Sequence, residues 1–544
     1  LSAEADRSPG DGLLTTDAPV GATGPARAGL LPRALAGPLD EARGWMHTHA
    51  EQVPLDGLDG WAVDARTGCL RHRSGRFFAV EGLRVRRPGH PVPAWDQPII
   101  NQPETGILGL LLRRVDGEPQ VLVQLKAEPG NCNGIQLSPT VQATRSNYQG
   151  VHGGSRVPYV EYFTAEAREQ HHVLCDVRQS EQGAWFLRKR NRNIAVEVDP
   201  SVPVPVHDGF VWLPLRELLS LLAVDDLVNM DTRSVLACLP RELGHTGEAS
   251  EGDLPPATSL HSTRSLLSWI VDVRESTEPQ VERVALAELD GWRQGAWDLA
   301  HESGRFFRVI GVRVRAAGRE VSQWSQPMIA PAHTGLVAFL VTRIDDVPHV
   351  LLHCRTEPGF VDTAELAPTV QCAPETYEVL PAELRPRYLD LVLDALSGDR
   401  SPVRFDAVLS EEGGRFHHAR TRHVVLDAGQ LAEGGGEVSE GPEHRWVSVH
   451  QISALLRHSH YVNMQARSLL VCLRAMDAMS AVDAMDAMSA VDAMDAVDAV
   501  DAVDAVAVRE ADGTRDDAAA RPSAAPALAP ALAPAATGAP GGPA

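Results

Sequence analysis

Five consecutive residues, Thr144, Arg145, Ser146, Asn147 and Tyr148, bring two hydroxyls, a guanidinium, an amide and a phenol into one short stretch. A guanidinium grips phosphate through paired, charge-assisted hydrogen bonds, so this set suits a sugar flanked by phosphates. Upstream, Lys126 and Glu128 supply a cation and a carboxyl at alternate positions, as general acid–base chemistry requires. Glu128 also precedes Pro129-Gly130, so a purely structural turn is the favoured account of it from the residues alone. Lysine is scarce, with Lys126 and Lys189 standing against 48 arginines. Lys189 opens the run KRNRN (189–193), where Arg190 and Asn193 add further anion and hydroxyl binders. Trp61 follows an Asp-Gly turn, a context that favours an exposed ring able to stack on a base.

The elements that must hold these residues occur twice. SGRFFAVEGLRV (74–85) returns as SGRFFRVIGVRV (303–314), with nine of twelve positions identical. WDQPII (95–100) returns as WSQPMI (324–329), KAEPGN (126–131) as RTEPGF (355–360), and QLSPTVQ (136–142) as ELAPTVQ (365–371). Further on, QSEQGAWF (179–186) answers LSEEGGRF (409–416), and NMDTRSVLACL (229–239) answers NMQARSLLVCL (463–473). The organisation is therefore two homologous domains, 29–240 and 263–474. Residues 1–28 and the linker 241–262 have loop composition, and 475–544 is a low-complexity tail, disordered or weakly helical, whose Asp repeat keeps no single helical face.

Within each copy, FFAVEGLRV, ILGLLLRRV (107–115) and QVLVQLKAE (120–128) read as strands, the last two joined by a hairpin at Asp116-Gly117. LPLRELLSLLAV (213–224) has helical spacing, and Asp231 is placed to cap a helix over 231–239. Hairpins interleaved with a few helices make each unit α+β with a mixed sheet and flanking helices.

Positions where the copies differ are the candidates for chemistry. Lys126 becomes Arg355, Asn131 becomes Phe360, Gln182 becomes Glu412, and Arg145, Ser146 and Asn147 face Pro374, Glu375 and Thr376 before the shared Tyr148 and Tyr377. Copy one is the richer in anion and hydroxyl binders.

The formal net charge is −22, of which the tail carries −9. An acidic body argues against a nonspecific nucleic-acid binder. No apolar run is long enough to span a bilayer, and no secretory leader is expected. Seven scattered cysteines without C-x-x-C fit a reduced cytoplasm. Neither a dinucleotide-binding turn, a P-loop nor a nucleophile elbow is present, and the close histidines (47 and 49, 171–172, 417–418) lack metal-ligand neighbours. No metal site is expected.

SGRFFAVEGLRV, WDQPIINQPETGILGLLLR, QLKAEPGNCNGIQLSPTVQATRSNY and QSEQGAWFLRKRNRN resemble the NDP-hexose 2,3-dehydratases of deoxysugar biosynthesis, over both repeats and not the tail. The resemblance implies a cytoplasmic homodimer whose halves are each Nudix-like. It implies removal of water across C2 and C3 of TDP-4-keto-6-deoxyglucose without a cofactor, and a partner 3-ketoreductase that consumes the product. Both halves would hold nucleotide, with the N-terminal half catalytic. The Nudix signature is missing from both, which disfavours diphosphate cleavage.

On that basis Tyr148 is the candidate acid or base, and Lys126 or Arg145 holds O4 or a phosphate oxygen. Glu128 is the reserve base. Trp61 is the expected thymine or sugar platform, Thr144, Ser146 and Asn147 bind hydroxyls, and Ser180, Lys189, Arg190 and Asn193 lie near the diphosphate. Trp292, Arg355, Glu375, Thr376 and Tyr377 form the second nucleotide site. A non-catalytic sugar-nucleotide binder and a Nudix-type hydrolase are the alternatives.

Overall fold

A computed structural model describes residues 31–75, 77–90, 92–144, 157–241, 243, 259–319, 321–378 and 382–479. The expected N-terminal segment, most of the linker and nearly all of the tail lie outside the described residues, as do Arg145, Ser146, Asn147 and Tyr148.

Repeat 1 runs α1 (Arg33–Trp45), β1 (His47–Val53), β2 (Trp61–Val63), β3 (Leu70–His72), β4 (Ala79–Arg86), β5 (Ala94–Asn101), β6 (Gly106–Val115), β7 (Glu118–Ala127), β8 (Ile135–Ser138), β9 (Val141–Thr144), α2 (Ala165–Gln170), β10 (His172–Ser180), β11 (Arg190–Glu197), β12 (Phe210–Pro214), α3 (Leu215–Ser220) and α4 (Met230–Cys238). Repeat 2 runs α5 (Thr263–Thr277), β13 (Gln280–Val284), β14 (Trp292–Gln294), β15 (Asp298–His301), β16 (Phe307–Ala317), β17 (Gln323–Pro331), β18 (Gly335–Ile344), β19 (Val347–Thr356), β20 (Ala364–Ala367), β21 (Val370–Cys372), α6 (Leu389–Ser397), β22 (Val403–Ser410), β23 (Arg420–Asp427), α7 (Ala428–Glu433), β24 (His444–Ser448) and α8 (Val449–Leu455), with α9 over 464–479. The α+β expectation holds in its coarse form.

Each repeat builds a seven-stranded mixed sheet. In repeat 1 the order is β10-β11-β6-β7-β12, with β8 on β7 and β9 on β6, and only β11 and β6 run parallel. Repeat 2 reproduces it as β22-β23-β18-β19-β20, with β21 on β18 and β24 on β19. The hairpin turns fall where the sequence places them, with Asp116, Gly117, Asp345 and Asp346 all at positive φ.

Two details differ from expectation. The helical spacing at 213–224 begins inside β12 and becomes α3 followed by a 3₁₀ turn, because Pro214 closes the strand and starts the helix. Asn229, and not Asp231, caps α4, its side chain accepting from the Thr232 backbone NH. Asp231 is instead buried in the first turn. The last helix also continues past 474 to 479, because Ala475 is fully buried and Met476 and Ala478 pack on the core.

The repeats do not form two separate bodies. β1 of repeat 1 lies antiparallel on β16 of repeat 2, and β13 of repeat 2 lies in the same way on β4 of repeat 1. One core joins Leu125, Leu222 and Leu236 with Leu352, Phe405 and Leu469. A second joins Trp61, Phe78 and Phe186 with Trp292, Phe307 and Phe416. At the centre, Arg233 and Arg467 are fully buried and placed as mirror images. Arg233 donates to Ser468 Oγ at 2.6 Å, Val228 O at 2.7 Å and Ser410 O at 2.8 Å. Arg467 donates to Ser234 Oγ at 3.2 Å, Val462 O at 2.8 Å and Ser180 O at 2.6 Å.

Each arginine satisfies carbonyls from both repeats, so removing one orphans acceptors that water cannot reach. Arg467→Ala is expected to cost about 3–5 kcal/mol in a denaturant titration. Arg400→Ala, which breaks a surface pair with Asp406, is expected to cost less than about 1 kcal/mol. Equal midpoints for the two variants would contradict this role.

Candidate active site

Strand alternation decides which side chains leave the core. On β9, Val141 and Ala143 are buried, while Gln142 and Thr144 face the other way. On β7, Leu125 and Ala127 are buried, while Lys126 keeps some exposure. The neighbouring strands therefore meet in a polar trio with Glu128. Lys126 Nζ donates to Gln142 Oε1 at 2.8 Å and lies 3.1 Å from Glu128 Oε1, to which Gln142 Nε2 also donates at 3.3 Å.

The Glu128-Pro129-Gly130 turn then docks on the other repeat. Gly130 N donates to Gly413 O at 2.8 Å, and His418 N donates to Gly130 O at 2.9 Å. A Cβ at Gly130 would lie 1.7 Å from Phe416 O, so only glycine permits this approach. The docking brings Glu412, Gly414 and Arg415 of repeat 2 against the trio. A Cβ on Gly414 would sit 3.2 Å from Glu412 Oε1 and 3.6 Å from Glu128 Oε1, so the two carboxyls converge on one small space. Arg415 donates to Gly414 O at 2.8 Å and to Gln102 Oε1 at 3.0 Å, with its guanidinium 4.4 Å above the Phe78 ring. Arg319 caps the edge by donating to Ala127 O at 3.1 Å.

Burial acts against charge on Glu128, but Lys126, Arg319 and Arg415 outweigh it and hold the carboxyl below its ordinary range. Glu412 moves the opposite way. Burial raises it, Arg415 opposes the rise, and the charge on Glu128 adds to it. Beneath this pair, burial pushes Glu181 up to about 7, and Glu412 pushes in the same direction. Asp231 is raised further by burial and by Glu412, Glu181 and Glu128. Burial also pulls Lys189 down, against the pull of Glu181 and Glu412.

The mirror position in repeat 2 keeps the frame and changes the groups. Arg355 Nε and Gln371 Nε2 both donate to Glu357 Oε1 at 2.9 Å. Gly359 N donates to Gly183 O at 2.8 Å, repeating the docking. The facing loop, however, offers Gln182 and Trp185 where the first site has Glu412 and Arg415. Gln182 is 3 % exposed and donates inward to Glu411 Oε2 at 2.7 Å. Phe360 fills the space beside Gly183 where the first site has Asn131.

The structure redistributes the expected residues. It brings Lys126, Glu128 and, by charge, Lys189 together. Thr144 lies on the same face of β9 as Gln142, at the edge of the described chain. Trp61 is corrected. It is 5 % exposed, packs against Phe78 and His72, and donates its indole NH to Ser325 O at 2.7 Å. Trp292 mirrors it, with its NH on Asp96 O at 2.8 Å, so both rings pin one repeat to the other and offer no stacking face. Ser180 and Asn193 are also buried. Ser180 donates to Glu365 Oε2 of the other repeat at 2.5 Å and Asn193 accepts from Ser234 of its own repeat at 2.7 Å, so both side chains are engaged in packing. Lys189 donates to the backbone oxygen of Glu104, and Arg190 sits across the sheet from Ser180. Around Arg355, Tyr377 is half-buried, and Glu375 and Thr376 share its 3₁₀ turn, with Arg305 donating to Glu375 O. The reading of the residues missed Gln142, Arg319 and Arg415. It noted the Gln182/Glu412 difference without placing Glu412 in a site.

A family model described as NDP-hexose 2,3-dehydratase matches residues 33–239 and again 263–473. The chain belongs to the NDP-hexose 2,3-dehydratase family. Three relatives bear the name dTDP-4-dehydro-6-deoxy-alpha-D-glucopyranose 2,3-dehydratase. The protein from Amycolatopsis orientalis is 47 % identical over 435 residues, 79 % of this chain and 87 % of its own. That from Streptomyces violaceoruber is 46 % identical over 442 residues, 80 % and 95 % respectively. That from Saccharopolyspora spinosa is 43 % identical over 441 residues, 79 % and 88 %. Both NDP-hexose 2,3-dehydratase matches enclose the docking turns and buried arginines described above.

With Trp61 assigned to packing, Trp61→Phe is expected to lower stability by about 1 kcal/mol through the lost hydrogen bond and to leave substrate KM unchanged. A several-fold rise in KM without loss of stability would return Trp61 to the binding site.

Proposed function

We propose that this chain removes water across C2–C3 of TDP-4-keto-6-deoxyglucose in the cleft lined by Lys126, Glu128 and Gln142. The observation that carries the reading is an ionised carboxylate, Glu128, held among three cations at the junction of the repeats. A hydrogen on C3 is acidic because the adjacent C4 ketone accepts the charge as an enolate. Glu128 takes that proton, and the cation of Lys126 or Arg415 faces the oxygen where negative charge develops. Collapse of the enolate expels the C2 hydroxyl. The resulting enol tautomerises to a 3,4-diketo-2,6-dideoxy sugar.

Arg145, Ser146, Asn147 and Tyr148 remain proposed substrate ligands on sequence grounds. Each half is read as Nudix-like, with its mixed sheet as support. Repeat 2, through Arg355, Glu375, Thr376 and Tyr377, is read as a second nucleotide site. The working form is proposed to be a cytoplasmic homodimer, and the reactive diketone calls for a 3-ketoreductase downstream. Among the described residues no helix is long and apolar enough to cross a membrane. Incubating the ketosugar with the protein, with and without a 3-ketoreductase and EDTA, separates the readings by product mass. Water loss that persists in EDTA supports the dehydratase. Binding without turnover, or metal-dependent release of TMP, would replace it.

Glu128→Gln is expected to lower kcat by about 10²–10⁴-fold, the usual contribution of a positioned base. The base works only when ionised, so activity falls as pH drops through its pKa. Because the neighbouring cations depress that pKa, the acid limb of kcat/KM should lie below the roughly 4.3 of a free glutamate. Lys126→Met removes one cation and should move the limb toward neutral pH. Identical limbs in the two proteins would show that another group is titrating.

A further inference from the structure

The geometry points to Glu412 of repeat 2 as the acid that protonates the departing C2 hydroxyl in the cleft of repeat 1. The inference rests on the dehydratase reading above and adds a residue from the other repeat to it. Four observations carry it. The carboxyls of Glu412 and Glu128 converge across Gly414, where a Cβ would contact both at 3.2 and 3.6 Å. Glu412 keeps partial exposure although protein surrounds it, and its carboxyl makes no hydrogen bond among the described residues. Its counterpart Gln182 is buried and committed inward to Glu411. Beside the pair, Asn131 Oδ1 is a buried acceptor without a donor, packed against Gly413 of the other repeat.

The substrate's stereochemistry fits this arrangement. In a gluco-configured ring the C3 hydrogen and the C2 oxygen lie on the same face. Two carboxyls sharing one small space can therefore serve both atoms, one removing a proton and the other giving one. The atoms balance. The C3–H bond breaks and its proton goes to Glu128. Its electron pair forms C3=C4 of the enolate. The C2–O bond then breaks, and the oxygen leaves as water with the Glu412 proton. The site ends with Glu128 protonated and Glu412 ionised, and one proton passed between them restores it. Repeat 2's own cleft has Gln182 at this place and lacks the donor, which accounts for chemistry confined to one of two similar sites.

The test is Glu412→Gln in the full-length protein, a change that installs the side chain the other repeat already carries. Three quantities are read with TDP-4-keto-6-deoxyglucose in D₂O: KM, water loss by mass, and deuterium entry at C3. Expected is a fall in kcat of about 10²-fold or more, with KM within about threefold and C3 exchange retained. Glu412→Asp should recover part of the rate. Unchanged dehydration in Glu412→Gln overturns the inference. Equal loss of exchange and dehydration also overturns it, because Glu412 would then act only through Glu128. Retained exchange in Glu128→Gln sinks the base assignment separately and leaves the Glu412 result to be read alone.

Discussion

Two backbone hydrogen bonds, Gly130 N to Gly413 O and Gly359 N to Gly183 O, fasten each repeat's Glu-Pro-Gly turn to a loop of the other. Each is worth only about 1 kcal/mol in stability. Their importance is geometric, because no side chain fits at Gly130 or Gly359, where a Cβ would meet backbone oxygen at 1.7 and 1.9 Å. The repeats can approach at this point only backbone to backbone. That contact sets Glu128 against Glu412 and Arg415, and Glu357 against Gln182 and Trp185. The exchanged strands β1 and β13, the paired tryptophans and the paired arginines hold the same approach from outside and below. A single repeat would keep the polar trio and lose half of the cleft.

Duplication gave two equivalent junctions, and divergence at a few positions made them unequal. Lys126 against Arg355, Glu412 against Gln182, Arg415 against Trp185 and Asn131 against Phe360 are small changes on an unchanged frame. Together they give one junction two carboxyls with the cations Lys126 and Arg415, and Arg319 lies beside them. The other becomes a closed arrangement in which Arg355 and Gln371 both lock onto Glu357. Buried charge is costly unless compensated. At the second junction the buried Glu357 is compensated directly by Arg355.

Much of this was legible in the residues, and the rest fails for identifiable reasons. The duplication, the hairpins at Asp116-Gly117 and Asp345-Asp346, and the strands carrying Lys126 follow from local pattern. Trp61 was misread because an Asp-Gly turn suggests exposure, whereas the ring is covered by a strand neighbour and by Phe78, and its NH finds Ser325 in the other repeat. Ser180 was misread because a polar side chain suggests a ligand, and here it satisfies Glu365 of the other repeat, while Asn193 is held inside its own repeat by Ser234 and Asn191. Ser325 lies 264 positions from Trp61 and Glu365 lies 185 from Ser180, beyond any local signal. The Gln182/Glu412 exchange was visible, but only the interlock shows that a repeat 2 residue enters the cleft of repeat 1.

The convergence of Glu128 and Glu412 carries a constraint of its own. A carboxylate close to another disfavours its neighbour's charged form, and here the charge on Glu128 adds to the rise of Glu412. The cations decide which partner loses its proton. Lys126, Arg319 and Arg415 together overcome burial at Glu128, while at Glu412 burial and the charge on Glu128 prevail over Arg415, Lys189 and Lys126. In the proposed mechanism one residue type thus serves as a base on one side of Gly414 and an acid on the other, by environment alone. Elimination needs both at once at neutral pH, which a lone glutamate in water cannot supply. Burial raises both carboxyls, and the cations gathered on Glu128 are what set the two apart.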